Sequence, residues 1–292
     1  KCKRSVRKRH MVLGKKTGGI IEKYIKKGIA GWRLDVADEL PDKFLDALSN
    51  AVKAEKADAY ILGEVWEDGT TKIAYDVRRK HLLGGHCDGL MNYPFRTALL
   101  DYLQGRGAQQ FVERMETLRE NYPTFAFYSA MNALGTHDTL RVLTLLGAGG
   151  THMDKTKDWR AAHRMTPYER QFGKELLKVG AAVLFCFPGS PTVYYGDEAG
   201  MEGFEDPFNR RTFPWGNEDK ELTDWFARLG NLRKKSPAAG GTALAGRRRR
   251  CAGLYPQRNG REHSVCLQRG RGGADLASAG GAVDDLAGAR KL

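Results

Sequence analysis

Short apolar runs, each followed by a helical pattern or a long loop, recur along the middle of the chain. Each run has the length and the apolar character of a strand buried in a parallel sheet. Five such strands are predicted, within 29–36, 59–66, 88–95, 128–138 and 191–198. This alternation of strands and helices fits either an open, doubly wound sheet or a (β/α)8 barrel.

Helical patterns fill the intervals between these runs. Residues 20–27 have the pattern of a helix end, and 96–103 and 169–185 have the pattern of longer helices. Pro41 suits a first helical turn, and the residues after it predict one apolar face, made of Phe44, Leu45, Leu48 and Val52. No GxGxxG follows a predicted strand, which argues against a dinucleotide-binding domain.

The net charge of +13 is concentrated at the two ends of the chain. Residues 1–16 carry eight basic and no acidic side chains, and residues 237–292 carry ten basic and four acidic ones. Residues 17–236 carry 30 basic and 31 acidic side chains, so this part of the chain is not predicted to bind nucleic acid.

The charge distribution therefore predicts three segments, an irregular basic N-terminal segment (1–16), a folded body (17–236) and an irregular tail (237–292). The tail is rich in glycine, alanine and arginine and has little periodicity. Three interpretations stay open for it: a disordered basic tail, a frame-shifted C-terminal β-domain, or a functional polybasic segment.

The remaining composition favours a cytoplasmic protein without a metal or a cofactor. The five cysteines form no CxxC pair and have no zinc spacing. The longest apolar run, 179–187, is too short to span a bilayer, and no secretory signal is visible. A metal role for the "THD" at 136–138 would need further ligands at suitable spacing, which His81, His86 and His163 do not offer.

Three acidic residues stand at or just after predicted strand ends: Asp35, Glu64 and Asp138. A single acidic residue in such a place is more often a cap or a salt-bridge partner. Three of them over one barrel mouth would suit glycoside cleavage, in which one carboxylate attacks the sugar and another protonates the leaving oxygen. Arg33 is then predicted to favour the ionised form of Asp35. His137 would bind a sugar hydroxyl, and Trp66 would stack on a sugar face.

Four motifs, in order, resemble those of the α-amylase family of retaining glycoside hydrolases, and most closely its neopullulanase and cyclomaltodextrinase branch. They are "GWRLDVADE" (31–39), "GEVW" (63–66), "LGTHDT" (134–139) and "GSPTVYYGDEAGMEGFEDPFNRRTFPW" (189–215). The resemblance covers roughly residues 18–236.

The resemblance implies a site for α-glucan oligosaccharides. Asp35 would be the nucleophile, Glu64 the general acid/base and Asp138 the third carboxylate, with substrate contacts from Arg33, Trp66, His137, Asp206 and Arg210. The reaction would be a double displacement on α-1,4 bonds of maltodextrin, cyclodextrin or pullulan.

The resemblance also implies a partial (β/α)8 TIM barrel, an α/β fold that begins at the family's fourth strand and ends at its eighth. The family's first motif, near its third strand, has no counterpart upstream of Gly31. We therefore expect a truncated copy of the gene. The alternative is a catalytically inactive fragment that keeps carbohydrate-binding motifs. The sequence predicts no oligomeric state.

Overall fold

The computed structural model describes most of the chain, namely residues 19–83, 85–150 and 152–235. The basic segment 1–16 and the tail 237–292 lie outside the described residues, so the interpretations of both stay predictions. The chain divides into two compact units. Among the described residues, the first unit comprises 19–94 and 115–132, and the second unit comprises 95–114 and 133–235.

The described chain contains both helices and strands, which confirms the predicted α/β class. In chain order, the elements are α1 (Ile20–Lys26), β1 (Gly31–Leu34), a 3-10 turn (Ala37–Glu39), α2 (Asp42–Glu55), β2 (Tyr60–Gly63), β3 (Ile73–Ala74), β4 (Val77–Arg78), β5 (Gly89–Leu90), α3 (Tyr93–Leu103), α4 (Ala108–Asn121), α5 (Thr124–Ser129), β6 (Met131–Ala133), α6 (Val142–Ala148), α7 (Lys157–Ala162), α8 (Pro167–Cys186), β7 (Ser190–Thr192) and α9 (Lys220–Lys235). Three of them, α3, α4 and β6, contribute residues to both units.

The first unit contains a parallel sheet with the strand order β1–β2–β5. β1 and β2 pair over four residues, from Gly31 opposite Tyr60 to Leu34 opposite Gly63. β5 extends this sheet on the far side of β2. Because parallel neighbours end at the same edge of a sheet, the residues that directly follow β1 and β2 lie next to each other.

Helix α2 connects β1 and β2 and buries most of the predicted apolar face. Leu45, Leu48 and Val52 are buried, and Phe44 is half-buried. Each fully buried side chain of this size contributes roughly 1.5–3 kcal/mol to the free energy of folding. Pro41 occupies the N-cap position, directly before the first turn of the helix, rather than the first turn itself.

All five of the predicted strands are shorter than the runs that predicted them. β1 ends at Leu34 because Val36 adopts a left-handed conformation with φ 45°. The predicted strand 88–95 is wrong beyond Leu90, since α3 begins at Tyr93. Pro94 explains this start, because its fixed φ and missing N–H suit the first turn of a helix. The predicted strand 191–198 likewise ends early, at Thr192.

The second unit is organised around the 20-residue helix α8. Its N-terminus has a capping box, in which Thr166 and Glu169 each accept a backbone N–H of the other residue. A Cβ on Gly173 would stand 2.9 Å from the Leu143 carbonyl oxygen, so glycine lets α6 pack directly against α8. Within the residues that the structure describes, every helix is too short or too polar to span a bilayer.

Candidate active site

Asp35 and Glu64 occupy equivalent positions at the end of two paired strands. Leu34 and Gly63 are the last paired residues of β1 and β2, and the two carboxylates come directly after them. The sequence predicted both residues near strand ends, and the structure places them just beyond the strands. This position frees the side chains from the sheet faces and brings them to one edge of the first unit.

A single guanidinium, that of Arg33, contacts both carboxylates. Its Nη1 donates to Asp35 Oδ1, and its Nη2 lies 2.8 Å from Glu64 Oε2. The Asp35 side chain is 74% exposed, whereas that of Glu64 is only 5% exposed. The two acids therefore share one counter-charge while only Asp35 is open to solvent. The contact between Arg33 and Glu64 was not predicted, because it joins neighbouring strands.

The backbone between Asp35 and the 3-10 turn supplies a second donor to Glu64. The Val36 N–H donates to Glu64 Oε2 over 2.8 Å. Val36 has φ 45° and ψ 56°, a left-handed conformation that β-branched residues rarely adopt. Among the described residues, Glu64 Oε2 therefore has two donors, and no donor within the first unit is found for Oε1. Sequence patterns carry no signal for this turn.

Trp66, predicted to stack on a sugar, has one face of its indole covered by another aromatic ring. The rings of Trp66 and Tyr93 are parallel to within 10°, and their centroids are 4.0 Å apart. Tyr93 is buried, while Trp66 is 47% exposed. The outer face of the indole is thus open and held in a fixed orientation. Tyr93 was missed, because it lies inside the run 88–95 that was predicted as a strand.

The four predicted residues of the second unit form one charged cluster. His137 Nε2 lies 3.2 Å from Asp138 Oδ2, and Arg210 Nη2 lies 3.6 Å from Asp138 Oδ1. Arg210 Nε also lies 2.8 Å from Asp206 Oδ1. All four side chains are between 30% and 58% exposed, so the cluster lies at a surface and offers both acceptors and donors to a ligand.

Asn209 fixes the backbone of this cluster and was not predicted. Its side-chain amide is buried and donates to the carbonyl oxygens of His137 and Thr139, each over 2.7 Å. These two bonds hold the backbone of the residues that precede and follow Asp138. A buried amide that bridges two carbonyls rigidifies a loop, because leaving either carbonyl without a donor would be costly.

A buried ion pair lies next to this loop and was also missed. Arg141 Nη1 lies 3.1 Å from Asp197 Oδ1, and both side chains are almost fully buried. The guanidinium carbon sits 4.3 Å from the ring centre of Tyr194 and 4.7 Å from that of Tyr195. Burial raises the pKa of Asp197 to about 7, and the Arg141 charge opposes this rise only in part. The arginine inside the apolar run "LRVLTLL" was the available signal.

Among the described residues, no group of three or more histidine, cysteine, aspartate or glutamate side chains is arranged to hold a metal ion. Of the predicted site residues, Arg33, Asp35, Glu64 and Trp66 belong to the first unit. The other four, His137, Asp138, Asp206 and Arg210, belong to the second unit.

Known proteins resemble this chain over most of its length. The model of the α-amylase catalytic domain matches residues 6–242. The amylopullulanase of Thermoanaerobacterium thermosulfurigenes is 35% identical over 224 residues, which are 73% of this chain and 11% of that protein. The cyclomaltodextrinase of Geobacillus thermopakistaniensis is 36% identical over 213 residues, which are 71% of this chain and 30% of that protein. The chain thus spans less than a third of the length of either relative.

A solved structure shows the same likeness. The ligand-free cyclic α-maltosyl-(1→6)-maltose hydrolase of Arthrobacter globiformis matches with a TM-score of 0.64 and 29% identity, over 79% of this chain and 45% of that chain. The family's catalytic domain is a (β/α)8 barrel, so the barrel alternative is favoured over the doubly wound sheet. The family model, the relatives and this structure agree, and the chain belongs to the α-amylase family.

Proposed function

We propose that this chain carries the catalytic residues of a retaining α-glucan hydrolase that cleaves α-1,4 bonds in maltodextrin, cyclodextrin or pullulan. The observation that carries the proposal is the pair Asp35 and Glu64, placed at adjacent strand ends and joined by Arg33. The activities of the two relatives, an amylopullulanase and a cyclomaltodextrinase, support the class of substrate.

The exposed carboxylate of Asp35 suits it as the nucleophile. Its oxygen forms a bond to the anomeric carbon as the glycosidic bond breaks, and the leaving oxygen takes a proton from Glu64. Water then attacks the covalent intermediate, giving its proton back to Glu64 and releasing Asp35. Because Arg33 and Val36 both contact Glu64 Oε2, we assign proton transfer to the other oxygen, Oε1.

The remaining predicted residues bind the sugar in this proposal. Asp138 accepts hydrogen bonds from sugar hydroxyls and stabilises the distorted, positively charged transition state. His137, Asp206 and Arg210 form the rest of the charged cluster around Asp138. The open face of Trp66 stacks on a glucose ring, as aromatic faces do with the C–H faces of sugars.

We also propose that β1, β2, β5, β6 and β7 correspond to the fourth to eighth strands of the family's barrel. The order of the four motifs along the chain supports this assignment, since each motif follows or spans one of these strands. The predicted truncation and the predicted cytoplasmic location stay predictions.

The test is the release of reducing sugar from maltoheptaose, β-cyclodextrin and pullulan by the purified chain and by its Asp35→Asn variant. We expect D35N to lower turnover at least a thousandfold, because the amide oxygen is a poor nucleophile. Asp58→Asn, in an exposed turn before β2, is the matched control and should leave turnover unchanged. Equal turnover of D35N and the unchanged chain would remove Asp35 as nucleophile.

Binding measurements on the same preparations distinguish the proposed function from the alternative of an inactive fragment. If the unchanged chain binds maltoheptaose by calorimetry but releases no reducing sugar, it is a carbohydrate-binding fragment without turnover. If it neither binds nor cleaves any of the three glucans, the proposed function is wrong for this chain.

A further inference from the structure

A short hairpin in the first unit displays apolar side chains to solvent. It consists of β3 and β4, joined by the turn residues Tyr75 and Asp76. Tyr75 is 71% exposed and Ile73 is 65% exposed. Neither side chain contributes to the core, so burial does not explain why they are apolar. Exposed aromatic residues that are held in place are characteristic of ligand-binding surfaces.

The turn of this hairpin is strained. Tyr75 and Asp76 have φ values of 53° and 59°, so both central residues are left-handed. Hairpin turns of this kind favour Asn-Gly or Asp-Gly, because glycine adopts positive φ without steric cost. A bulky aromatic residue there costs on the order of 1–2 kcal/mol. Strain that folding does not need suggests a functional reason for Tyr75 at this position.

Side-chain contacts tie the hairpin to both segments that carry the proposed catalytic acids. Lys72 Nζ lies 3.1 Å from Asp38 Oδ2 and 2.6 Å from Glu67 Oε2. Asp38 follows Asp35 by three residues, and Glu67 follows Glu64 by three. Lys72 and Asp38 are both less than 20% exposed, so this ion pair is stronger than one on the open surface. The base of the hairpin is therefore continuous with the proposed site.

The tip of the hairpin is fixed to the same segment. The Tyr75 hydroxyl donates to Glu39 Oε2, at the end of the 3-10 turn that follows Asp35. The guanidinium of Arg79, just after β4, donates to the Leu40 carbonyl oxygen and lies 3.2 Å from Asp42 Oδ1. The Tyr75 ring is thus both exposed and held in one orientation. Little side-chain entropy of Tyr75 is lost when a ligand stacks on the ring.

We propose that Tyr75 is a substrate-binding residue, on which a glucose unit of a bound α-glucan stacks away from the cleaved bond. The inference rests on the proposed function. An aromatic ring edged by a carboxylate, here that of Glu39, has the chemistry that recognises a sugar, which presents C–H groups on its faces and hydroxyls at its rim. A glucan is favoured over a protein partner because the hairpin adjoins the two catalytic segments.

The test is calorimetric binding of maltotriose and maltoheptaose to chains in which Asp35→Asn prevents cleavage. In this background we expect Tyr75→Ala to weaken maltoheptaose binding about threefold to tenfold, the usual range for a lost aromatic contact. Maltotriose binding should change less, because the proposal places the Tyr75 contact away from the cleaved bond, where a longer glucan is needed to reach it. A merely structural role for Tyr75 would weaken the binding of both sugars equally, and this result would overturn the proposal.

Two further variants separate stacking from folding. Tyr75→Phe keeps the ring, and we expect it to bind maltoheptaose within twofold of the D35N parent. Tyr168→Ala removes a tyrosine that is 79% exposed on α8, and it should leave binding unchanged. Suppose that the D35N parent binds maltoheptaose and that the unchanged chain cleaves it. If Y75A then binds this sugar as well as the D35N parent does, the inference about Tyr75 is wrong and the proposed function stands. Absence of binding by the D35N parent overturns both proposals.

Discussion

Replacing Asp197 with asparagine should remove a pH-dependent loss of stability. The Asp197 carboxyl is 3% exposed, and burial raises its pKa from 3.8 to about 7 despite the ion pair with Arg141. In the unfolded chain the carboxyl returns to its ordinary value. Between pH 3.8 and 7, the folded chain therefore retains a proton on Asp197 that the unfolded chain has lost.

The sign and size of the effect follow from this difference. Because the folded state binds more protons over this interval, raising the pH favours unfolding. A difference of about three pH units corresponds to roughly 4 kcal/mol of lost stability above pH 7, since each unit is worth about 1.4 kcal/mol. Between pH 5 and pH 7.5 the loss amounts to roughly 2–3 kcal/mol. Asparagine does not titrate, so D197N escapes this loss.

Urea denaturation followed by tryptophan fluorescence measures the effect. The free energy of unfolding of D197N minus that of the unchanged chain should rise by roughly 2–3 kcal/mol from pH 5 to pH 7.5. Other titrating groups cancel in this difference, because both proteins contain them. Parallel pH profiles of the two proteins would refute the reasoning, since they would show that Asp197 does not titrate in this range.

Glu221 provides a control, because its pKa is shifted in the opposite direction from that of Asp197. Hydrogen bonds from Lys174 and Lys178 lower the pKa of Glu221 to about 2. Its contribution to stability is therefore present above its ordinary pKa of 4.5 and is lost as the pH falls towards 2. Glu221→Gln should give a difference in unfolding free energy that stays constant between pH 5 and pH 7.5.

Two further predictions concern backbone geometry. Val36→Gly should raise the free energy of unfolding by about 1 kcal/mol in urea denaturation, because glycine relieves the left-handed strain at φ 45°; a destabilised V36G would contradict this. Gly135→Ala should lower the free energy of unfolding by at least about 2 kcal/mol, because the new Cβ would stand 2.2 Å from Asp197 Oδ2. A thermal midpoint equal to that of the unchanged chain would contradict this prediction.

Hydrophobic patterns located five of the seven strands in the described residues, but not their ends, and they missed β3 and β4. The runs at 29–36 and 59–66 contain β1 and β2, since burial between a helix and neighbouring strands selects apolar residues. The ends depend on single backbone positions. Val36 turns the chain after β1, and Pro94 begins a helix inside the third apolar run. A window of averaged hydrophobicity does not register one residue with an unusual φ.

The residues of the candidate site were likewise predicted only in part. Residues whose chemistry stands out in the sequence, such as Asp35, Glu64 and Asp138, were predicted as candidates from their place after apolar runs. Asn209 and Asp197 were missed, because their roles come from contacts with residues 56 to 72 positions away in the sequence. Such contacts arise only when the loops fold together, and no local period marks them.

The strained turn at Val36 and the shared guanidinium of Arg33 have one explanation. A buried carboxylate such as Glu64 is costly unless donors surround it, and Arg33 Nη2 and the Val36 N–H are the two donors found within the first unit. An unstrained β conformation at Val36 would continue the strand instead of leading the chain into the 3-10 turn. The consecutive residues Asp35 and Val36 place one carboxylate in solvent and one backbone donor on Glu64. Two adjacent acids can then stay unequal, one exposed and one enclosed, and this difference is the basis of the two separate roles that we propose for them.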